Sequence, residues 1–413
     1  MTTVKDVTGA DFPLPPEPGL TPAEVIARAE AIWPTLVARQ AETEQRTFYA
    51  EDTHKEFEKA GFYRLLTPRR YGGYEFGIDT FLRVTTALAR GCPSTAWMFC
   101  LGATHALQAA TLFGERAQAE LFKEGNFIAP ATIVPSGTAE STSDGDWIID
   151  GTWHYCSGSP YATHFIGHTL IDGEDGEKVP MLFVVPREQW RRLDNWGGQL
   201  GLKGSGSHSI VIDKARVPAH LTLPGTHMSE IDVTQGTPGY RLHGNGEYGG
   251  GQLSFMLLEV ACLAVGIAQG ALDAYEELMR SRLTLFPPVV PRHEHPDYQF
   301  WYGEAAGMIA TAEAAVRQAT RTWQEICADG PSAFNQENDL RLATICREVI
   351  RLSWRAVERN LFPTAGSSAV RQGERIERVW RDLSTLQSHA GIGVLLATVT
   401  TRSLAQAHFG EAA

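Results

Sequence analysis

The residues best equipped for acid–base chemistry stand near the C-terminus, where Glu377-Arg378-Val379-Trp380-Arg381-Asp382 is followed by Ser388-His389-Ala390-Gly391. Histidine is the side chain whose unperturbed pKa lies nearest neutrality. On one continuous helix, the step from Asp382 to His389 covers about two turns and brings both residues to one face. The pattern reads as a buried arginine–carboxylate anchor followed by a working histidine, although ordinary bundles use the same spacing. His389 is therefore the leading acid–base candidate. A second histidine, His105 in Gly102-Ala103-Thr104-His105, lies in an apolar helical run from Ser94 to Phe113, where a lone histidine is usually a satisfied core residue.

Other segments offer hydroxyls, backbone donors and cations. Ser157, in Tyr155-Cys156-Ser157-Gly158-Ser159, follows a predicted strand, where its hydroxyl and nearby N–H groups can face a planar ligand or simply build a turn. Gly366-Ser367-Ser368 supplies small side chains and free backbone donors near a helix start, a suitable anion cradle, with Arg282 as an opposing cation. The bland alternative is a helix-connecting turn and a solvated arginine. Gly244-Asn245-Gly246-Glu247-Tyr248-Gly249 matches G-x-G-x-x-G but lacks a preceding strand and a βαβ unit, so it reads as an interdomain linker. His293-Glu294-His295, with Asp297 nearby, could chelate a metal, yet a polar loop between prolines explains it as well, and no metal is expected. No nucleophile elbow, P-loop, H-E-x-x-H or kinase signature occurs.

These candidates sit in a 413-residue chain that is 43% hydrophobic, enough for two or three packed modules. The formal net charge of −12 opposes binding to polyanions, so nucleic acid is not an expected partner. Six scattered cysteines with no C-x-x-C pair suit a reducing cytoplasm. The Pro-rich, acidic start from Met1 to Pro18 shows no export signal, and apolar runs such as Ile392 to Val399 are far short of a membrane span.

The elements that must position the candidates fall into three phases. Thr21-Pro22-Ala23-Glu24 opens a first helix with a capping threonine and a proline at the first helical position. Helical segments over Asp52 to Ala60, Gly77 to Arg90 and Ser94 to Phe113 continue that phase to about Lys123. Short β-rich runs then follow at Phe127 to Val134, Trp147 to Cys156, His164 to Leu170, Pro180 to Val185 and Ser209 to Ile212. Without intervening helices they suggest a small antiparallel sandwich or barrel. After Gly249-Gly250-Gly251, long helices over Gln252 to Leu283, Tyr298 to Cys327, Asn335 to Leu361 and Gly373 to Ala407 predict a four-helix bundle. The fold class is α+β, mainly α, with an N-terminal helical domain (1–126), a central antiparallel β domain (127–240) and a C-terminal bundle (241–413).

Five pieces in this order resemble the acyl-CoA dehydrogenase superfamily, and within it the oxygenase components of two-component flavin-dependent monooxygenases such as the 4-hydroxyphenylacetate and 3-hydroxy-seconandrostane hydroxylases. They are Glu58-Lys59-Ala60-Gly61-Phe62-Tyr63-Arg64-Leu65-Leu66 running into Arg70-Tyr71-Gly72-Gly73; Ala89-Arg90-Gly91-Cys92-Pro93-Ser94-Thr95-Ala96-Trp97; Gly151-Thr152-Trp153-His154-Tyr155-Cys156-Ser157-Gly158; Gly201-Leu202-Lys203-Gly204-Ser205-Gly206-Ser207; and the Arg381-Asp382 helix. The resemblance implies a homotetramer with flavin between the β domain and the bundle. Ser157 would contact the flavin near N5. Arg282 and Gly366-Ser367-Ser368 would hold the phosphate end, in one arrangement across a subunit boundary, and Trp97, His105 and His389 would face the reaction cavity. Reduced FMN or FAD would arrive from a separate NAD(P)H-dependent flavin reductase, with O2 as cosubstrate and a C4a-hydroperoxyflavin as the hydroxylating species.

The branch follows from chemistry. Acyl-CoA dehydrogenases need a carboxylate base, commonly in a Tyr-Glu-Gly context after the Arg-Asp pair, whereas this region reads Ser388-His389-Ala390-Gly391. Glu259 or Glu247 could substitute, which keeps dehydrogenation as the runner-up, and oxidation of sulfur or nitrogen in a heteroaromatic is open to the same chemistry. A histidine can move a proton at the nascent peroxide or deprotonate a phenol. Trp97 with Phe99, and the Phe286 and Phe300-Trp301 segments, are candidate aromatic walls. The proline-rich Leu285 to Pro296 loop would border the substrate entrance or a subunit contact.

Overall fold

The computed structural model of the chain describes Thr3–Lys5 and residues 11–389 and 391–410. Ala390 of the C-terminal motif lies outside the described residues, as does most of the Pro-rich N-terminal segment before residue 11. A small antiparallel pair, β1 (Thr3–Lys5) and β2 (Asp11–Pro13), precedes the first helix.

Thr21 caps α1 (Pro22–Arg46) reciprocally. Its hydroxyl oxygen accepts the Glu24 N–H, while the Glu24 carboxylate accepts the Thr21 N–H at 2.9 Å. Val25, Ala29, Ile32 and Leu36 of α1 are buried on the predicted face. The helical phase continues through α2 (Glu51–Ala60), α3 (Gly77–Gly91), α4 (Pro93–Ala103), α5 (His105–Leu112) and α6 (Glu115–Leu121). The single helix expected from Ser94 to Phe113 is thus divided at Thr104, which leaves His105 at the start of α5.

The central region is built from two antiparallel sheets. One runs in the order β3 (Thr138–Ser141), β4 (Trp147–Trp153), β8 (Ile210–Val217), β7 (Arg191–Arg192); the other in the order β5 (His164–Asp172), β6 (Lys178–Pro186), β9 (Thr222–Pro224). The expected strand over Phe127 to Val134 does not form. Pro130 removes a ladder donor, the Ala129 N–H bonds the Gly102 carbonyl of α4 at 2.8 Å, and only an isolated bridge joins Ala131 to Ile166.

After the short helix α7 (Pro238–His243), the bundle is formed by α8 (Gln252–Ser281), α9 (Pro296–Ala328), α10 (Gln336–Arg355) and α12 (Arg375–Gln387). Gly244 is the left-handed cap of α7 and Gly246–Gly249 form a single 3-10 turn, so the G-x-G-x-x-G run is a linker between elements. α8 is long and apolar enough to cross a membrane, but 83% of its most apolar stretch is buried at the centre of the bundle. The helix expected over Asn335 to Leu361 widens to a π-helical turn at Ala356–Leu361, just ahead of α11 (Phe362–Thr364), where Pro363 has no N–H to extend the α-helical ladder.

The last expected helix, Gly373 to Ala407, is also interrupted. α12 stops at Gln387, Ser388 caps it, and the chain resumes as a π-wound segment, Gly391–Thr400, leading into α13 (Thr401–Phe409). His389 therefore lies in the break beyond the helix and not on the Asp382 helix itself, where its Nδ1 accepts the Gly391 N–H at 3.2 Å. The glycine-bearing Gly391-Ile392-Gly393 sequence weakens the α-helical register at this point.

Candidate active site

Three distant segments meet around Trp97. Trp97 arrives on α4, Ser157 on the turn after β4, and His389 in the break after α12. The Trp97 indole N–H donates to Ser157 Oγ at 3.1 Å, and the Trp97 and His389 rings lie 5.7 Å apart between centroids at 60°. The turn is shaped by Gly158 at φ +98°: a Cβ there would sit 3.2 Å from both the Gly102 Cα and the Met98 carbonyl oxygen of α4. Glycine is what lets Ser157 come down onto the helix that carries Trp97.

The loop before β8 closes the same side. Ser207 Oγ is 2.7 Å from Ser157 Oγ, and Ser205 Oγ is 2.7 Å from Ser207 Oγ. This loop is pinned from all sides: the Gly206 N–H donates to the Thr47 carbonyl at 2.8 Å, the Gly204 N–H to Ser94 Oγ at 3.3 Å, and the Leu202 N–H to Asp382 Oδ1 at 2.6 Å. Ser205 and Ser207 stand within a motif noted in the sequence, but no spacing rule marks them, because their partner is fifty residues away in the chain.

The Arg381-Asp382 pair is the anchor of this assembly. Arg381 donates to Glu377, to Glu44 and, at 2.9 Å, to the Leu200 carbonyl. Burial would raise the Glu44 pKa, but hydrogen bonds from Arg381 and Arg378 outweigh it and hold the carboxylate below its usual value. Burial of Asp382 pushes its pKa up to about 7 against the opposing pull of the Leu202 N–H and Arg381. Gly201 is needed here, since a Cβ would fall 2.1 Å from the Arg381 carbonyl oxygen.

The two candidate histidines differ. His389 is exposed to solvent, yet protein atoms crowd its ring and the loss of hydration lowers its pKa from the ordinary value. His105 is buried; desolvation pushes its pKa down to about 4, while its Nδ1 lies 2.7 Å from the Ala129 carbonyl, which fixes the proton on that nitrogen. Among the described residues, His105 makes no hydrogen bond or ring contact with Trp97, Ser157 or His389. Beside it, Thr104 donates to Glu259 at 2.6 Å, and burial raises the Glu259 pKa well above the usual range.

The phosphate-end candidates form a second cluster. Arg282, half-buried, donates to Ser368 Oγ; Ser367 and Ser368 are exposed, and Gly366 adopts φ +92°. Arg292, beside the His293-Glu294-His295 run and marked by no local spacing, donates to the Ala365 carbonyl at 2.8 Å. Neither guanidinium has a carboxylate partner among the described residues, so the turn faces solvent with uncompensated positive charge. That suits an anionic phosphate. His293 and His295 serve local roles: His293 Nδ1 lies 3.3 Å from the Met279 carbonyl, and His295 accepts the Asp297 N–H at the start of α9. The two clusters lie toward opposite ends of α12, whose thirteen residues cover roughly 20 Å.

The expected aromatic walls are redistributed. Phe99 packs against Phe57, Phe62, Tyr63 and Phe81 in the core rather than beside Trp97. Phe286 and Phe300 are exposed at the Arg282 end of the bundle. A cavity of about 350 Å³ opens elsewhere, between α1, α3, α8 and α9, lined by Trp33, Arg83, Arg90, Gln269, Glu313 and Arg317 among others, and contains none of the predicted site residues.

The models of the acyl-CoA dehydrogenase N-terminal and C-terminal domains match residues 27–123 and 258–393. The chain is 28% identical to the flavin-dependent monooxygenase oxygenase subunit HsaA of Rhodococcus jostii, over 88% of this chain and 93% of that protein. It is 24% identical to the p-hydroxyphenylacetate 3-hydroxylase oxygenase component of Acinetobacter baumannii, covering 90% and 86% respectively. The crystal structure of 3-HSA hydroxylase from Rhodococcus sp. RHA1 superposes with a TM-score of 0.84 at 25% identity, covering 94% of this chain and 98% of that one.

Proposed function

This chain belongs to the acyl-CoA dehydrogenase family, and from that membership we propose that it is the oxygenase component of a two-component flavin-dependent monooxygenase that hydroxylates an aromatic, phenolic substrate. The observation that carries the proposal is the meeting of Trp97, Ser157 and a histidine, His389, where a dehydrogenase would place a carboxylate. Both relatives named above are oxygenase components by name. Of the carboxylates that could replace the missing base, Glu259 is closed off and bonded to Thr104, and Glu247 accepts the Ile78 N–H and the Gln324 amide. Burial raises both pKa values, and neither carboxylate makes a hydrogen bond with Trp97, Ser157 or His389 among the described residues.

The residues fit a flavin at both ends: Ser157 has a hydroxyl valence beyond its protein contacts, and Arg282, Arg292 and Ser368 offer donors to a phosphate. When bound, reduced FMN or FAD supplies the two electrons with which O2 is split between the substrate and water. His389, whose pKa is lowered by its surroundings, would take the phenolic proton at Nδ1, the nitrogen that otherwise accepts the Gly391 N–H, so that the ring becomes a better nucleophile. Trp97 provides an apolar wall beside it, and the buried neutral imidazole of His105 offers its Nε2 as an acceptor on the α5 side.

The separation of the two clusters along α12 supports a flavin shared between copies of the chain, as in a homotetramer. The exposed apolar hairpin beside Arg282, with Leu285 83% and Phe286 75% exposed, supports a chain–chain contact at that end. Domain boundaries near residues 126 and 240, a separate NAD(P)H-dependent flavin reductase and a cytoplasmic location complete the reading; six free, buried cysteines support the last. The test is a paired assay. Oxygen uptake with a phenol in the presence of reduced FMN or FAD is expected, and reduction of a dye with acyl-CoA is not; the reverse result overturns the proposal.

A further inference from the structure

Ser157, Ser207 and Ser205 form a buried row of hydroxyls, 8%, 4% and 0% exposed, with both oxygen–oxygen separations at 2.7 Å. Each serine brings one proton and two lone pairs. Two links consume two protons, so one of the three is surplus. The Trp97 indole N–H, which can only donate, takes one lone pair of Ser157 whatever the others do.

Only three arrangements exist. If the row donates from Ser157 through Ser207 to Ser205, the surplus proton ends on Ser205, which is fully buried and has no other hydrogen-bond acceptor among the described residues. If both neighbours donate to Ser207, the surplus proton is stranded on Ser207, whose two oxygen partners are already donors. In the third arrangement Ser205 donates to Ser207 and Ser207 donates to Ser157. The surplus proton is then on Ser157, at the end of the row that meets Trp97. Buried unpaired donors are the costliest orphans, whereas an under-used oxygen lone pair on Ser205 is tolerated. With both lone pairs filled, by Trp97 and Ser207, Ser157 has nothing left to do but donate.

We propose that Ser205 and Ser207 are positioning residues that commit the Ser157 hydroxyl to being a hydrogen-bond donor toward the flavin ring. This rests on the reading that Ser157 faces that ring. The flavin N5 is a bare acceptor in the oxidised state and carries an N–H in the reduced state. A donor at Ser157 therefore favours oxidised flavin relative to reduced flavin, compared with a serine free to accept. Removing the Ser207 hydroxyl returns a lone pair to Ser157 and shifts the balance toward the reduced form.

The experiment measures dissociation constants of oxidised FMN and of anaerobically reduced FMN for the intact apo-protein and its variants. Ser207→Ala is expected to shift the ratio of the two constants about threefold to tenfold in favour of reduced FMN, the range of one neutral hydrogen bond. Ser205→Ala, which leaves Ser207 free to turn either way, shifts it in the same direction by less. Ser207→Thr, which keeps the hydroxyl, retains the wild-type ratio. A shift toward oxidised FMN, or an unchanged ratio in Ser207→Ala when Ser157→Ala alters binding, overturns the relay. Ser157→Ala with both constants unchanged overturns instead the placement of Ser157 against the flavin.

Discussion

The two halves of the candidate site are built on opposite principles. Around Ser157, three segments from the helical, β and bundle regions interlock, and nearly every polar group is shielded and spoken for: Trp97 on Ser157, Ser157 on Ser207, Leu202 on Asp382. Around Arg282, a short turn and a hairpin present two guanidiniums and two serines to solvent with no carboxylate to neutralise them. The first arrangement orients protons through a shielded row of hydroxyls, with His389 at its solvent-facing side. The second keeps charge available, as capture of a phosphate requires. On the proposed reading, chemistry and capture fall at different ends of one helix, and each is expected to be damaged without the other.

The comparison is broken most severely at the chemical end. His389→Ala is expected to lower hydroxylation about 100-fold, the scale of a lost general base, while reduced-flavin affinity measured by equilibrium titration stays within about twofold. At the capture end the pattern inverts: Arg282→Ala weakens flavin binding about tenfold, the cost of a charge-assisted hydrogen bond at a half-exposed site, and leaves product yield per bound flavin unchanged. Asp382→Ala tests the anchor that holds the serine loop. It leaves the Leu202 N–H unpaired in a buried setting and is expected to cost about 2 kcal/mol of stability, read as a lowered Tm. Ser157→Ala is expected to raise hydrogen peroxide released per NADH consumed by a few fold, with flavin still bound.

The smallest effect is the pH response. A base whose pKa is depressed keeps its active, neutral form until pH falls through the lowered value. Both His389 and His105 are shifted down by desolvation, His105 to about 4. The hydroxylation rate is therefore expected to hold level from about pH 8 down through the ordinary histidine range near 6.5 and to decline only below it. A midpoint at or above that range, moved by His389→Ala, would show that the imidazole environment is less dehydrating than its surroundings imply.

Much of the architecture was legible because it is periodic. The Thr21 capping box, the apolar face of α1 and the length of α8 are written in local spacing, and they appear where the pattern places them. The turn carrying Ser157 was accessible through its family motif and the pairing of Arg282 with Ser368 through the small residues of Gly366-Ser367-Ser368, although that turn follows the end of α11 and does not open a helix, since α12 begins only at Arg375. What spacing could not convey was competition from distant parts of the chain. Phe127 to Val134 has strand composition, but α4 takes the Ala129 N–H; His389 continues a helical pattern, but the chain breaks at Ser388 and turns the imidazole toward Trp97. Ser205 and Ser207 acquire a role only once a loop fifty residues downstream folds against Ser157.

On the proposed function, this chain directs activated oxygen into an aromatic ring beside His389. The most direct measurement is a single turnover with photoreduced FMN or FAD, 18O2 and a phenol, followed by mass spectrometry of the products. Incorporation of one 18O atom into the phenol, with peroxide as the minor product, is the predicted result. Complete recovery of the oxygen as peroxide with either flavin across a panel of phenols, together with reduction of bound flavin by acyl-CoA, would contradict it.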